Sequence, residues 1–293
     1  MWMWHRLTLL FVLLLAPLSQ AQEDSGPETS RQPRAEDLRE ILSARAYGMG
    51  GAWRALGVGA ESGTGNPATL AAFRTYRVEM TGAWDWVGKD AFGMVALADS
   101  ATSPLAAGVS YQLISLGKGV ERATGHLNTV GLAIPFGSSL MLGVSSRYLL
   151  LRGARQANAI TGDAGIIFRP APIISLGISG HNLIGTGNAE LTRYYSAHAG
   201  VFAGLLTIAA DVRADFETNS RTTLTYSGGL EYLFGQTFPL RAGYTWDGFT
   251  RTSQLGVGIG VMTPGGGIDL AYRHDLGGEN GRLVALTFKM QVQ

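Results

Sequence analysis

The chain has 293 residues, a formal net charge of +1, 15% charged residues, 41 glycines and no cysteine. So small a net charge gives no field for nucleic acid. The charged share lies far below the ~25% of soluble domains, and with the glycine content it points to a membrane β protein. The lack of cysteine excludes disulfides, thiolate metal sites and a lipid-bearing anchor cysteine.

The chain opens with an export signal. His5 and Arg6 give a basic start, and Leu7 to Ala16 is an apolar core too short to span as a helix. Pro17 breaks it, and Ser19-Gln20-Ala21 offers a small-x-small cleavage site before Gln22. The expected divisions are a signal peptide over 1–21, a polar leader over 22–43, a glycine-rich plug or hatch over 44–72 and a barrel over 73–293. The leader carries Pro27, Pro33 and several charges and reads as a solvated tail. One or two helical turns over 35–44 would set Leu38, Ile41 and Leu42 on one side.

In the plug, Gly48, Gly50, Gly51, Gly57, Gly59, Gly63 and Gly65 let backbone approach backbone closely. Asn66 suits an N-cap and Pro67 the first turn of a short helix. Such a segment fits the inside of a narrow lumen. Its candidate functional residues are Gly48, Met49, Gly50, Gly51, Trp53, Asn66 and Pro67.

Beyond Ala72 no stretch has the ~18 consecutive apolar residues of a transmembrane helix. What recurs is alternation with period two, in pieces of about ten residues. In Leu206 to Phe216, Leu206, Ile208, Ala210, Val212, Ala214 and Phe216 oppose Thr207, Ala209, Asp211, Arg213 and Asp215. The same template predicts strands near 74–84, 90–98, 105–116, 125–134, 139–150, 157–168, 173–182, 193–202, 205–216, 222–234, 237–247, 252–262, 267–275 and 282–290. The alternation is poorest over Asp90 to Ala98. The expected fold is all-β: a transmembrane antiparallel barrel of about fourteen strands, an even number as single-chain outer-membrane barrels have.

The even-to-odd connections are short and carry Pro or Gly, among them Pro104, Pro135, Gly204, Gly235 and Pro264, whereas the longest connection, Leu183 to Thr192, is odd-to-even. That asymmetry places both termini on the periplasmic side. With apolar faces turned to lipid, Arg77, Glu79, Arg147, Asp163, Asp211, Arg213, Asp215, Glu231, Arg241, Asp247, Asp269, Arg273 and Lys289 all point inward. An Arg or Lys facing lipid at mid-membrane would cost roughly 2–4 kcal/mol. The remaining inward positions are mostly small or polar. Gly256, Gly258 and Gly260 leave one wall bare, as if the plug packs there. Trp84, Trp86, Tyr194, Tyr195, Phe216, Tyr232, Phe234 and Trp246 fall near strand ends, where aromatic girdles sit.

Ala46-Tyr47-Gly48-Met49-Gly50-Gly51-Ala52, followed by Asn66-Pro67-Ala68-Thr69-Leu70, resembles the N-terminal signature of the FadL-like outer-membrane proteins, and within them the PorV/PorQ-type branch. The resemblance implies a signal peptide, a glycine-rich segment before the first strand, fourteen strands and a Gram-negative outer membrane. Where family members carry paired acids between the two halves of the motif, only Glu61 stands here. The large outer loops of the FadL transporters are missing too.

Motifs for catalysis or cofactors are scarce. Gly48-x-Gly50-Gly51 lacks a preceding strand and has Trp53 where a third glycine belongs, so it is no dinucleotide fingerprint. His181 and His198 could face the lumen near Ser179 and Ser196, as a barrel esterase would need, or be polar lumen residues. Asp211, Arg213 and Asp215 could form a solute ladder or neutralise one another. The expectation is a non-enzyme without cofactor or metal, set in outer-membrane lipid. One class of function is transport of a small hydrophobic molecule past the hatch, with a pocket at Met49, Trp53, Leu56 and Val58. The other is an accessory barrel of a secretion or surface-assembly system, presenting Leu183 and Ile184 to its partner.

Overall fold

Alternating strands with an apolar face need that face covered, and a sheet closed on itself inside lipid covers it without leaving an edge. The computed structural model describes residues 43–57, 59–218, 222–248, 251–277 and 281–292. The signal peptide, most of the leader with its 35–44 turns, and Val58 lie outside those residues.

The first seven strands are β1 (Tyr76–Asp85), β2 (Asp90–Asp99), β3 (Ala106–Leu116), β4 (Ala123–Phe136), β5 (Leu140–Gly153), β6 (Ala157–Ala171) and β7 (Ile174–His181). The others are β8 (Tyr194–Ala203), β9 (Leu206–Asp215), β10 (Thr223–Phe234), β11 (Phe238–Asp247), β12 (Thr252–Thr263), β13 (Gly266–Leu276) and β14 (Arg282–Val292). All fourteen form one closed barrel in chain order. Closure is made by β1 against β14, from Tyr76↔Val292 to Asp85↔Leu283, antiparallel throughout. The poorly alternating stretch forms β2 in full and pairs with β3 from Ala91↔Ser115 to Asp99↔Ala107.

Parity sorts the side chains. Ile208, Leu230, Leu240, Val257, Ile259 and Leu270 are exposed on the outside, while Asp211, Arg213, Arg241, Asp269 and Arg273 are buried within. An apolar exterior around a charged interior would be unfavourable in water and is favourable only in a bilayer. Aromatic side chains mark two belts. Tyr76, Phe136, Phe168, Phe234, Phe238 and Phe288 are exposed beside the short turns, and Trp84, Tyr111, Tyr195 and Phe216 toward the other end. Tyr194 does not belong to a belt: it is fully buried and stacks on His181 at 4.4 Å, because its neighbour Tyr195 takes the outward position.

Tight connections close one end of the barrel. The Gly204-Leu205 turn joins β8 to β9 directly after the Ala203↔Leu206 pair, with Gly204 at φ 66, the positive angle a two-residue hairpin demands. At the opposite end β6 outruns β7, whose pairing with it stops at Ala164↔Gly180. The loop after β7 takes over: Leu183 N donates to Gly162 O at 2.8 Å and Thr161 Oγ1 to Ile184 O at 3.0 Å. Leu183 and Ile184 therefore lie along the wall. Their side chains come within 2.9 Å and 3.5 Å of where Cβ atoms on Gly180 and Gly162 would stand.

Candidate functional site

Residues 43–72 are packed against the inward faces of the strands. Helix α1 (Ala44–Gly48) begins at Ser43, whose Oγ accepts from Ala46 N at 3.3 Å, and Ala44 N donates to Thr287 Oγ1 on β14 at 2.9 Å. It ends in a left-handed cap: Gly51 N donates to Ala46 O and Gly50 N to Tyr47 O, with Gly50 at φ 60 and Gly51 at φ 76. Backbone meets backbone at this cap. A Cβ on Gly50 would lie 2.4 Å from Tyr244 N, and one on Gly243 would lie 2.1 Å from Met49 C. Gly48 is less tight, 3.2 Å from Gly258 Cα. Gly256 admits Tyr47 O, but Gly260 is covered by the Asp269 carboxylate, so the bare wall ends one pair sooner than parity alone suggests.

The second half of the segment is a 3₁₀ helix, Pro67–Ala71, capped by Asn66, whose Oδ1 accepts from Ala68 N at 3.0 Å. Asn66 Nδ2 reaches the Ile166 and Ile178 carbonyls at 3.1 and 3.2 Å and lies 2.7 Å from His198 Nε2. Pro67 is buried against Gly143, where a Cβ would stand 2.3 Å from Pro67 C. One asparagine thus ties the segment to three consecutive strands.

Charges fix the middle. Asp211 Oδ2 accepts from Arg54 Nη1 at 3.1 Å, Arg54 N at 3.2 Å and Trp53 N at 3.3 Å. Arg45 grips both Glu231 oxygens at 2.9 and 3.0 Å, a bidentate pair. Arg241 bridges Glu231 at 2.6 Å and Asp269 at 2.9 Å, and Lys289 closes on Asp269 as well. Arg147 pairs with Asp163 at 2.6 Å and donates to the Thr64 carbonyl at 2.5 Å. Arg273 lies 5.4 Å over the Tyr47 ring and 3.2 Å from Asp275. Further from the segment, Arg213 donates to Thr225 Oγ1 at 3.2 Å, and Asp215 accepts from Glu217 N and Thr218 N. The candidate ladder on β9 is therefore divided: Asp211 holds the segment, Asp215 holds a loop and Arg213 binds across to β10.

Burial works against the Arg45 charge, but Glu231 beside it outweighs that and holds the guanidinium above its ordinary range. Glu61 has the opposite fate. Burial, then the charge of nearby Glu79, push its carboxyl up from 4.5 to about 7.

The anticipated pocket at Met49, Trp53 and Leu56 is closed. All three side chains are fully buried, and Trp53 packs so closely on Gly65 that a Cβ there would stand 2.2 Å from its ring. Nor are the inward positions all small or polar. Phe92, Ile114, Leu116, Leu127, Leu149, Leu151 and Leu283 form a buried apolar cluster with Tyr47 and Trp53 of the segment. They come from the ends of β2 to β5 and β14 away from the short turns, so the outer part of the lumen is apolar.

Ser179 Oγ lies 2.8 Å from His181 Nε2 and 2.7 Å from Ser196 Oγ. The third member for nucleophilic chemistry is out of reach. His181 Nδ1 is 3.8 Å from Asp163, whose oxygens already accept from Arg147, Ser145 Oγ and Asn182 N. His181, Ser179 and Ser196 are buried, so this is a packed polar network with no room for an ester. Among the described residues no cluster of His, Cys, Asp and Glu has the makings of a metal site.

Neither a protein-family model nor a curated protein matches the chain. Its fold does match solved structures. The Ralstonia pickettii toluene transporter TbuX superposes with a TM-score of 0.69 at 14% identity, over 86% of this chain and 98% of that one. The Pseudomonas putida toluene transporter TodX gives 0.65 at 12% identity, over 88% and 99%. A Pseudomonas aeruginosa FadL homologue gives 0.54 at 13% identity, over 85% and 97%. At such identities the likeness is one of fold, and the fold is that of an outer-membrane β-barrel.

Proposed function

We propose that this chain is a FadL-like barrel of the bacterial outer membrane that admits a small hydrophobic molecule, with residues 44–72 as a hatch across the lumen. The observation that carries the reading is the apolar outer lumen, where Phe92, Ile114, Leu116, Leu127, Leu149 and Leu151 share one buried cluster with Tyr47 and Trp53 of that segment. Buried in the docked state, this lining meets a solute only when the segment moves; a polar solute then gains nothing from it, whereas an apolar one is drawn from water at about 25 cal/mol per Å² buried. In this reading the ion pairs beneath are the latch: Arg45 and Arg54 of the segment each bind a carboxylate of the wall, Glu231 and Asp211. Two matched folds being toluene transporters adds support for the substrate class. No catalytic step is assigned. Both termini are placed on the periplasmic side, following the short turns. The finer PorV/PorQ-type assignment, and the accessory role that goes with it, rests on the Ala46–Ala52 and Asn66–Leu70 motif and on Leu183 and Ile184, which lie along the wall with exposed side chains.

Toluene entry into cells lacking their own hydrocarbon channels, with and without this barrel, tests the reading. Faster entry of toluene, no change for a sugar of similar size, and loss of the effect in Leu149→Asp that still assembles are expected. A folded wild-type barrel that speeds neither solute would overturn transport in favour of the accessory role.

A further inference from the structure

The wall carries a second feature, on the lipid side of the sheet. Strands β4, β5 and β6 are 14, 14 and 15 residues long against 10 for β1, β2, β8, β9 and β11. Their excess projects at the end away from the short turns, and there the outward positions change character. Ser115, Thr124 and Arg152 form one row across β3, β4 and β5, and Leu113, His126 and Leu150 the next row down. The wall is dented at this place. A groove of about 640 Å³ opens on the outside, edged by Leu113, His126, Leu150 and Arg152 and floored by Gly93 and Gly125. Gly125 lets β4 and β5 approach closely there: a Cβ on it would stand 1.9 Å from Leu150 O.

Charge gathers at the rim of this groove. Arg152 pairs in register with Thr124, and Arg122, two residues before Thr124, accepts from Ala154 N through its carbonyl at 3.0 Å. Lys118 begins the 3₁₀ turn that leads to Arg122. Lys118, Arg122 and Arg152 are all exposed, and the one acid among them is Glu121 on the same turn. The inner lumen places each of its arginines on a carboxylate, a hydroxyl or a ring; here the cations outnumber the acid three to one beside an apolar furrow. Below the rim, Tyr111 stacks on His126 at 5.5 Å and bonds its Nδ1 at 2.7 Å, giving one side of the furrow a rigid polar edge.

We propose that this groove is a binding site for a phosphorylated, acylated glycolipid of the outer leaflet. One acyl chain would lie over Gly93 and Gly125 between Leu113 and Leu150, and the phosphate would meet Arg122, Arg152 and Lys118. Each cation at the membrane boundary is worth roughly fivefold in affinity toward anionic lipid. An apolar furrow joined to such a crown selects an anion with a hydrocarbon tail over a free anion. The inference rests on the reading that the wall spans an outer membrane with the 117–122 loop on its outer side.

The test is native mass spectrometry of the full barrel, refolded in detergent and titrated with diphosphorylated six-chain lipid A, then with the same lipid stripped of phosphate and with phosphatidylglycerol. One saturable diphosphoryl lipid A per barrel is expected, bound more tightly than either comparator. Arg122→Gln/Arg152→Gln should bind it roughly 30-fold more weakly. Gly93→Leu leaves every charge in place and has room, a Cβ there being 3.9 Å from Leu113 Cβ. It should displace the acyl chain and abolish the one-to-one complex. Equal binding by wild type and the arginine double variant would overturn the proposal. So would an unaffected Gly93→Leu, which would reduce the site to headgroup attraction, or tighter binding of phosphatidylglycerol. Heat-modifiable mobility is measured on the same samples in lipid bilayers. A barrel that folds there but ignores lipid A loses this site alone, whereas one that enters no bilayer removes the membrane reading itself.

Discussion

The pair most exposed to a decisive perturbation is Arg54 with Asp211. Both are almost wholly buried, and Asp211 receives three hydrogen bonds from the segment. Arg54→Met keeps the side-chain length and removes the charge, leaving Asp211 buried with two backbone N–H donors as its only contacts from the segment. Breaking one side of a buried pair costs roughly 3–5 kcal/mol. If that cost falls on the docked segment, its opening equilibrium shifts by roughly 100- to 4,000-fold. The chain has no cysteine, so Ala52→Cys, at a fully buried site, is a unique reporter. Maleimide labelling of Ala52→Cys in the folded barrel should be slow, and should rise by at least 100-fold when Arg54→Met is added. The double replacement Arg54→Met/Asp211→Asn removes both charges and keeps an acceptor for the two N–H groups. Its labelling should return most of the way, the non-additivity expected of partners in contact. A folded Arg54→Met barrel that labels at the wild-type rate would refute the idea that this pair holds the segment down.

The remaining predictions use other parts of the same structure. Gly243→Val places a Cβ 2.1 Å from Met49 C, so the α1 cap must leave the wall; raised single-channel conductance or failed assembly is expected, and unchanged conductance in a folded barrel contradicts it. Val257→Arg sets a cation on the lipid face at a cost of roughly 2–4 kcal/mol, and heat-modifiable mobility should fall well below that of Val257→Leu. Thr225→Arg, on an inward position, should also impair assembly, because Thr225 is buried between Arg213 and Asp247. The Glu61 carboxyl is raised to about 7 in the docked segment, so docking is favoured fully below pH 4.5 and loses that contribution as pH rises through about 7. Labelling at Ala52→Cys, divided at each pH by the rate of a free thiol, should therefore be slower at pH 5 than at pH 8, and Glu61→Gln should flatten that ratio.

Much of the barrel could be read from parity alone, because lipid outside and water or charge inside impose one rule on every strand. That rule found β2 despite its weak alternation and turned the β9 to β13 charges inward. It failed where both faces are apolar. Leu149-Leu150-Leu151 and Leu113-Ile114 show no period, and the apolar outer lumen they help build was hidden by that uniformity. Tyr194 was misplaced by nearness to a strand end, a cue that parity against Tyr195 overrules. Within the segment, glycines announced close approach but not what they approach. Arg45 and Arg54 gave no signal, since a charge on an irregular backbone has no period to betray its direction, and their partners lie 186 and 157 residues away.

The bond from Ala44 to Thr287 spans 243 residues, nearly the whole described chain, and lands on the strand that closes the barrel. Contacts of such separation form late, after loop-closure entropy has been overcome. Docking of the segment and closure of the seam between β1 and β14 therefore depend on the same strand. Gly50 against Gly243 and Asn66 against Gly165 seat the segment flush on the wall. Seam and interior are thereby coupled: the strand that completes the barrel also anchors the segment that fills it.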